Sequence, residues 1–117
     1  MKFKFEKLIV WQEAMELGEQ INTLTNKFPP KENYNLSSQI RRAADSVALN
    51  ISEGSISQSN AEQKKFVVYS IRSLAEVVTC LHKAKKREYI PDKEFQSYYE
   101  FSYKLMNMLI SFKNNIK

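Results

Sequence analysis

Residues 10–28, VWQEAMELGEQINTLTNKF, carry the pattern that decides the fold. The apolar positions of this stretch are Val10, Ala14, Leu17, Ile21, Leu24 and Phe28. They recur at alternating spacings of four and three residues, which places them on one face of a helix that packs against other helices. Because proline cannot continue a helix, Pro29 and Pro30 end the segment. The stretch is therefore predicted to be an amphipathic α-helix.

Three more segments repeat this period along the chain. The second apolar face is predicted to contain Leu36, Ile40, Ala44, Val47 and Ile51. The third contains Val67, Ile71, Leu74, Val78 and Leu81. The fourth contains Phe95, Tyr98, Ser102, Leu105, Leu109, Phe112 and Ile116. Only Lys2–Glu6 shows the two-residue alternation of a strand, and so short an arm cannot form a sheet alone.

The residues between these segments indicate where the helices begin and end. Asn35 or Ser37 is a candidate N-cap of the second helix, and Gly54 is a candidate C′ residue in the left-handed conformation. Ser59 stands three residues before Glu62, which is the spacing of a capping box at the start of the third helix. Each predicted helix thus has a recognisable boundary signal.

Short connections determine the predicted topology. The segments are separated by about eight, five and four residues, which favours neighbouring antiparallel helices. We therefore predict an all-α fold, an antiparallel up-down-up-down four-helix bundle. It forms a single domain over residues 1–117 with a short N-terminal arm at residues 1–6. A chain of this length can bury one hydrophobic core.

Cysteine and glycine are too scarce for several classes of protein. One cysteine, Cys80, cannot form an internal disulfide and fits a reducing cytoplasm. Two glycines exclude Gly-rich phosphate loops and Rossmann turns. No run of about 18 apolar residues is present, and the first residues lack the features of a signal peptide. A cytoplasmic protein without membrane association is expected.

The residues that carry catalytic chemistry do not converge in this sequence. His82, the one histidine, lies two residues from Cys80, about 200° around a helix axis, so the two side chains cannot pair. Glu13, Glu16 and Glu19 lack the Glu-x-x-His partner of a di-iron bundle, and a solvated acidic face explains them. We expect no catalytic residue, no metal site, no cofactor and no small-molecule substrate.

Positive charge is concentrated in the third helix. The net charge is +5, from 18 basic and 13 acidic residues, and residues 59–90 alone hold seven basic and three acidic groups. At about 100° per residue, one face collects the basic stripe, which is Lys65, Arg72, Lys83, Lys86 and Arg87. Such a face is typical of phosphate-backbone contact, with Tyr69 beside it to stack on a base. Alternatively, Lys83, Lys86 and Arg87 only complement the macrodipole at the helix end.

The second helix contains another group of polar residues. Arg41 and Arg42 precede two alanines, so another backbone can approach two guanidinium groups that suit phosphate or carboxylate. They are secondary candidates for nucleic-acid contact. Asn50, Glu53 and Gly54 follow near the end of the helix, where the dipole disfavours a carboxylate and predicts a specific partner for Glu53. A structural network is the preferred interpretation of this motif, and a ligand site is the alternative.

The apolar surface is wider than a single bundle core requires. Trp11, Met15 and Gly18 form a second strip on the first helix, and Phe66 and Val77 belong to a matching strip on the third. A glycine in mid-helix costs about 1 kcal/mol relative to Ala. A ring or a backbone that comes close beside Trp11 would explain why Gly18 occupies this position. These five residues are candidate oligomer contacts. Alternatively, each strip faces a second neighbour inside the same bundle.

Three motifs cover nearly the whole chain. The opening motif is Phe5, Leu8, Val10-Trp11-Gln12 and Ala14. The central motif is Phe28-Pro29, Glu32, Tyr34, Leu36, Gln39-Ile40-Arg41-Arg42-Ala43-Ala44, Ser46, Asn50-Ile51 and Glu53-Gly54. The third-helix motif is Phe66, Ser73-Leu74, Glu76, Thr79 and Leu81. Together they resemble the four-helix-bundle family of 23S rRNA intervening-sequence proteins, and the central motif is the most specific of the three.

The resemblance implies a bacterial, cytoplasmic, all-helical protein with no enzymatic activity or cofactor, assembled as a homopentamer around a central channel. Genes of the family often lie in insertions within large-subunit ribosomal RNA genes. The fold is also shared with the basic accessory protein of certain retroelement reverse transcriptases. Five copies would bring the charge to about +25, which makes phosphate binding avid and salt-sensitive.

Two functional hypotheses result. In the first, the protein is a non-enzymatic, pentameric RNA-binding bundle that contacts phosphates through the basic stripe. In the second, it is a protein-interaction scaffold or accessory factor whose apolar strips dock a partner or sister subunits, while its charge only keeps it soluble.

Overall fold

The computed structural model describes residues 1–117 as four helices with no strand. The helices are α1 (Ile9–Leu24), α2 (Leu36–Ser55), α3 (Asn60–Lys86) and α4 (Asp92–Asn114). Short 3₁₀ turns cover Lys4–Lys7, Thr25–Lys27 and Pro30–Glu32. The prediction of an all-α fold with four helices is confirmed. None of the four has the length and apolar character that crossing a bilayer requires.

The predicted apolar face of α1 is the centre of the core. All six of its positions are 6% exposed or less. On α2 the five predicted positions are at most 1% exposed. The later helices are less regular, because Ile71 and Val78 on α3 and Tyr98 and Phe112 on α4 are only partly buried. One cluster of 23 apolar residues joins the four helices into a single core.

Helix packing follows the order of the chain. α1 packs against α2, α2 packs most extensively against α3, and α3 packs against α4, while the contact between α1 and α4 is thinner. A buried hydrogen bond joins the two central helices, since Ser70 Oγ donates to the Val47 carbonyl at 2.8 Å. The surface formed by α1 and α2 and the surface formed by α3 and α4 therefore lie on opposite sides of the bundle.

The start of α3 shows one of the two hydrogen bonds of the predicted capping box. Ser59 Oγ accepts a hydrogen bond from the Glu62 backbone N–H at 3.1 Å, which satisfies one of the free donors of the first helical turn. The N-terminal arm forms a 3₁₀ turn rather than a strand. Its Phe5 ring packs edge-on against Trp11 with centroids 5.3 Å apart, so the arm is held against α1.

The prediction for Gly54 is wrong. Gly54 lies inside α2, which continues to Ser55, and no glycine in the chain has a positive φ. The glycine is required by close packing instead, because a Cβ there would lie 2.8 Å from the Phe66 Cβ and 3.3 Å from the Gln63 carbonyl oxygen of α3. The position that does adopt the left-handed conformation is Glu88, with φ 63°, just after α3.

Candidate nucleic-acid interface

The third helix carries four of its six cations on one exposed side. Lys65, Arg72, Lys83 and Lys86 are all exposed, and none belongs to the three ion pairs of the chain. Lys65 and Lys83 are 18 residues apart, which is five full turns, so they project in the same direction about 27 Å apart along the axis. These four cations are free to contact phosphates.

Arg87, the fifth member of the basic stripe, differs from the other four. Its Nη1 atom lies 3.0 Å from Glu32 Oε2 in an ion pair. Because this guanidinium already has an anionic partner within the chain, Arg87 is less available for phosphate. The unpaired part of the basic stripe therefore reduces to Lys65, Arg72, Lys83 and Lys86.

A buried carboxylate organises the end of the bundle where Arg87 lies. Glu32 is only 4% exposed, and its Oε2 accepts a hydrogen bond from the Tyr89 hydroxyl at 2.6 Å. Oε1 accepts bonds from the Leu36 backbone N–H and from Asn35 Nδ2. The Tyr89 bond is the main reason that the pKa of Glu32 is lowered, with burial opposing it and Arg87 adding to it. The cluster joins the start of α2 to the end of α3.

Sequence reasoning missed this cluster. Glu32 lies in a 3₁₀ turn and its partners are 55 and 57 residues away, so no helical period relates them. Glu32 belongs to the central motif, but that motif specifies only its residue type and not its contacts. The one available signal was an acidic residue between Pro30 and the start of an apolar segment, which also fits an ordinary solvated turn.

The aromatic residue beside the basic stripe is partly covered. Tyr69 is half-buried and packs edge-on against Phe66, with centroids 5.7 Å apart and planes at 85°. Glu76 interrupts the stripe, and Gln39 Nε2 lies 3.4 Å from its Oε2. Tyr69 remains a candidate stacking residue with part of its ring open to solvent.

The two arginines of α2 are in different environments. Arg41 is half-buried, and its Nη1 donates to Thr25 Oγ1 at 3.2 Å, so it links α2 to the end of α1. Arg42 is exposed and has no carboxylate within ion-pair distance. Of the two secondary candidates, only Arg42 presents an open guanidinium.

The motif near the end of α2 also contains residues in different environments, which are Asn50, Glu53 and Gly54. Asn50 Nδ2 donates to the Ser46 carbonyl at 2.9 Å and to Ser46 Oγ at 2.8 Å. Ser46 Oγ is in turn 3.0 Å from Ser73 Oγ on α3, so this part of the motif is a structural network between helices. Glu53 is exposed and belongs to none of the ion pairs in the chain.

The apolar strip of α1 opens into a groove between α1 and α2, which we call the α1–α2 groove. It measures about 350 Å³ and is lined by Phe5, Trp11, Ala14, Met15, Gly18, Glu19, Asp45, Ala48, Leu49 and Ser52. Met15 is 44% exposed and Leu49 is 60% exposed. The nearest neighbour of a Cβ at Gly18 would be Asp45 Oδ1 at 3.3 Å, so a side-chain carboxylate lies there, not the ring or backbone that we expected.

The matching strip of α3 is mostly internal. Val77 is 0% exposed and belongs to the core cluster, so its assignment to an oligomer contact is wrong. It faces a second neighbour inside the same bundle, since α3 packs against both α2 and α4. Phe66 is half-buried, where it meets Gly54 and Tyr69.

The residues with nucleophilic or ligating chemistry are apart from one another. Cys80 is 1% exposed, and burial raises the pKa of its thiol. His82 is exposed, and its ring packs against Phe95 with centroids 5.0 Å apart. No group of three or more His, Cys, Asp or Glu side chains converges on a point.

In comparisons with known proteins, the chain matches the model of one protein family. The family model described as 23S rRNA-intervening sequence protein matches residues 6–111, whereas no curated protein matches the chain. A solved crystal structure of a protein of unknown function, from the S23 ribosomal protein family of Bacteroides thetaiotaomicron VPI-5482, has a similar fold, with a TM-score of 0.83. The two sequences are 24% identical, and the match covers 90% of this chain and 98% of that one.

Proposed function

Since the chain belongs to the 23S rRNA-intervening sequence protein family, we propose that it is a non-enzymatic, oligomeric RNA-binding protein that acts through α3. The observation that carries the proposal is the set of four exposed cations without ion-pair partners on one helix. These are Lys65, Arg72, Lys83 and Lys86. A row of unpaired cations exchanges counterions for phosphates, and repetition of that row in an oligomer multiplies the effect.

The proposed architecture is an antiparallel up-down-up-down bundle that forms a homopentamer in the cytoplasm of a bacterium. The contact between Arg87, after α3, and Glu32, before α2, supports opposite directions for these two helices. Lys64 Nζ near the start of α3 lies 3.4 Å from the Lys117 carbonyl at the end of the chain, which supports the same relation for α3 and α4. The burial of Cys80, the one thiol of the chain, supports the absence of enzymatic activity.

A salt series with a structured RNA tests the proposal. We expect the logarithm of the affinity to fall linearly with the logarithm of salt concentration. The variant Lys65→Gln/Lys83→Gln should reduce that slope by roughly 0.7–0.9 for each phosphate that is no longer neutralised. The matched control is Lys93→Gln/Lys104→Gln, which removes the same charge from two exposed lysines of α4 that form no ion pair.

The two variants separate specific contact from general attraction. An unchanged slope in the α4 variant together with a reduced slope in the α3 variant supports the proposal. Equal reduction in both would show that only net charge matters, and absence of binding near physiological salt would overturn RNA binding altogether. Light scattering on both variants establishes that the assembly is the same in each comparison.

A second candidate function is a protein-interaction scaffold or accessory factor. The observation that favours it is the α1–α2 groove, where Met15 and Leu49 expose apolar side chains beside Trp11. Exposed apolar patches of this kind mark protein-binding surfaces. If the groove holds sister subunits, Trp11→Ala should dissociate the oligomer, and an unchanged mass in light scattering would count against this function.

A further inference from the structure

The unpaired cations of the basic stripe are not evenly spaced along α3. Lys65 and Arg72 lie in the first half of the helix and form the first cation pair, whereas Lys83 and Lys86 lie near its end and form the second cation pair. Residues 73–82, between the two pairs, contain no lysine or arginine. Arg72 and Lys83 are 11 residues apart, which is about 16 Å along the helix axis. The stripe therefore has two positively charged parts with a gap between them.

An acidic residue occupies this gap. Glu76 falls within about 20° of Lys65 around the helix axis, is exposed and belongs to none of the three ion pairs. Its Oε2 accepts a hydrogen bond from the Gln39 amide of α2 at 3.4 Å, which leaves most of the acceptor capacity of the carboxylate unused. Because a carboxylate repels phosphate, this part of α3 suits a part of the ligand that carries hydrogen-bond donors and no phosphate.

The same side of α3 offers little aromatic surface. Tyr69 is the one aromatic residue of α3 within about 60° of Lys65 around the axis, and it is half-buried against Phe66. Proteins that bind single strands stack successive bases on several rings. One partly covered ring can stack on one base at most, so this surface lacks the main feature that favours an unpaired strand.

A nucleic-acid duplex has the layout that matches the two cation pairs. Each of its strands forms one ridge of phosphates, and the groove between the ridges holds none. In A-form RNA the minor groove is wide and shallow and displays ribose 2′-hydroxyl groups, which can donate hydrogen bonds. Since a continuous helix holds the two pairs at a fixed separation, binding to a rigid duplex costs little conformational entropy.

We infer that α3 binds double-stranded RNA by lying across the minor groove, with one cation pair on the phosphates of each strand and Glu76 accepting a hydrogen bond from a ribose 2′-hydroxyl between them. The inference rests on the proposed RNA binding and names the form of RNA. A DNA duplex lacks the 2′-hydroxyl, so Glu76 only repels its phosphates. The cation pairs position the duplex, and Glu76 distinguishes RNA from DNA.

The variant Glu76→Ala separates a groove contact from general charge attraction. Removal of an anion from a basic surface should strengthen binding to any polyanion, whereas loss of a hydrogen bond to a 2′-hydroxyl should weaken binding to duplex RNA alone. Glu16→Ala is the matched control, because Glu16 is an exposed, unpaired residue of α1 that also accepts from a glutamine amide, that of Gln20 at 3.0 Å. Both changes introduce the best helix former at an exposed position, and circular dichroism verifies the fold.

Fluorescence anisotropy at one fixed salt concentration then measures three affinities for each protein. The ligands are an RNA duplex, an unstructured RNA single strand and a DNA duplex of equal length. We expect the wild type to bind the RNA duplex roughly tenfold more tightly than either of the others. Glu76→Ala should weaken binding to the RNA duplex by roughly three- to tenfold and leave binding to the DNA duplex unchanged or stronger, whereas Glu16→Ala should change both affinities by the same small factor.

Three results would overturn the inference. Equal or tighter binding of the single strand would show that the surface does not require a duplex. Equal binding of the RNA and DNA duplexes would show that the 2′-hydroxyl is not recognised, and tighter binding of the RNA duplex by Glu76→Ala would show that the carboxylate only repels. RNA binding itself, and with it the proposed function, stands under each of these results, whereas absence of binding to both RNAs would overturn the two together.

Discussion

Replacing Gly54 by alanine should destabilise the protein, whereas replacing Gly18 by alanine should not. At Gly54 the new Cβ would lie 2.8 Å from the Phe66 Cβ, whereas carbon atoms pack at about 3.5–4.0 Å. Both atoms are attached directly to helix backbones, so no side-chain rotation relieves the overlap. α2 and α3 must therefore separate by roughly 0.7 Å along their most extensive contact.

The magnitude follows from two opposing terms. Overpacking of this kind costs about 1–3 kcal/mol, while a Gly-to-Ala change in a helix gains at most about 1 kcal/mol. We expect Gly54→Ala to lower the free energy of unfolding by about 1–2 kcal/mol, which corresponds to a fall in Tm of roughly 4–8 °C. The measurement is thermal and urea unfolding at one fixed protein concentration, because assembly makes stability concentration-dependent.

Gly18→Ala is the matched control. Its new Cβ would lie 3.3 Å from Asp45 Oδ1, and Asp45 is an exposed side chain that can rotate away. The gain in helix propensity is then retained, so Tm should stay the same or rise, by at most about 1 kcal/mol of added stability. A Gly54→Ala protein as stable as the wild type would refute the close α2–α3 approach, and a destabilised Gly18→Ala protein would refute the assignment of its neighbour as movable.

Three further changes test individual contacts. The pKa of Glu32 is lowered below its usual 4.5, so its ionised form stabilises the fold above that pH. This stabilisation is lost as the pH falls through the lower pKa of the folded state. In urea unfolding, the free energy of unfolding of Glu32→Gln should therefore fall less than that of the wild type between about pH 6 and about pH 3. Glu88 has φ 63°, so Glu88→Gly should raise the unfolding free energy by about 1 kcal/mol, whereas Glu88→Ala, which keeps the Cβ, should not. Ser70→Ala removes the buried donor to the Val47 carbonyl and should cost about 1–2 kcal/mol in the same assay, with no loss of helix signal.

The core of the bundle was predictable because one periodicity governs it. Apolar residues spaced by three and four lie on one helix face whatever that helix packs against, so the buried positions of α1 and α2 could be identified residue by residue. The exposed cations Lys65, Arg72, Lys83 and Lys86 were predictable for the same reason, since the side opposite an apolar face is solvated.

The candidate site was less predictable where one helix meets another. Arg87 falls on the same side of the helix axis as the rest of the basic stripe and has the same charge. Its guanidinium nevertheless pairs with Glu32, a partner that no local pattern identifies. Val77 looked like part of an outward strip and is buried, because α3 contacts two neighbours instead of one. Its exposure depends on where α2 and α4 lie.

Helix number, helix register and the side of α3 that carries the charge come from the order of residues alone, because each depends only on backbone geometry within one helix. The distance between helices does not. The contact of Gly54 with Phe66, the burial of Glu32 between Tyr89 and Arg87, and the α1–α2 groove all arise from side chains that are distant along the chain. Only packing in three dimensions brings them together, since their relative positions depend on the sum of many weak contacts and not on any repeat in the sequence.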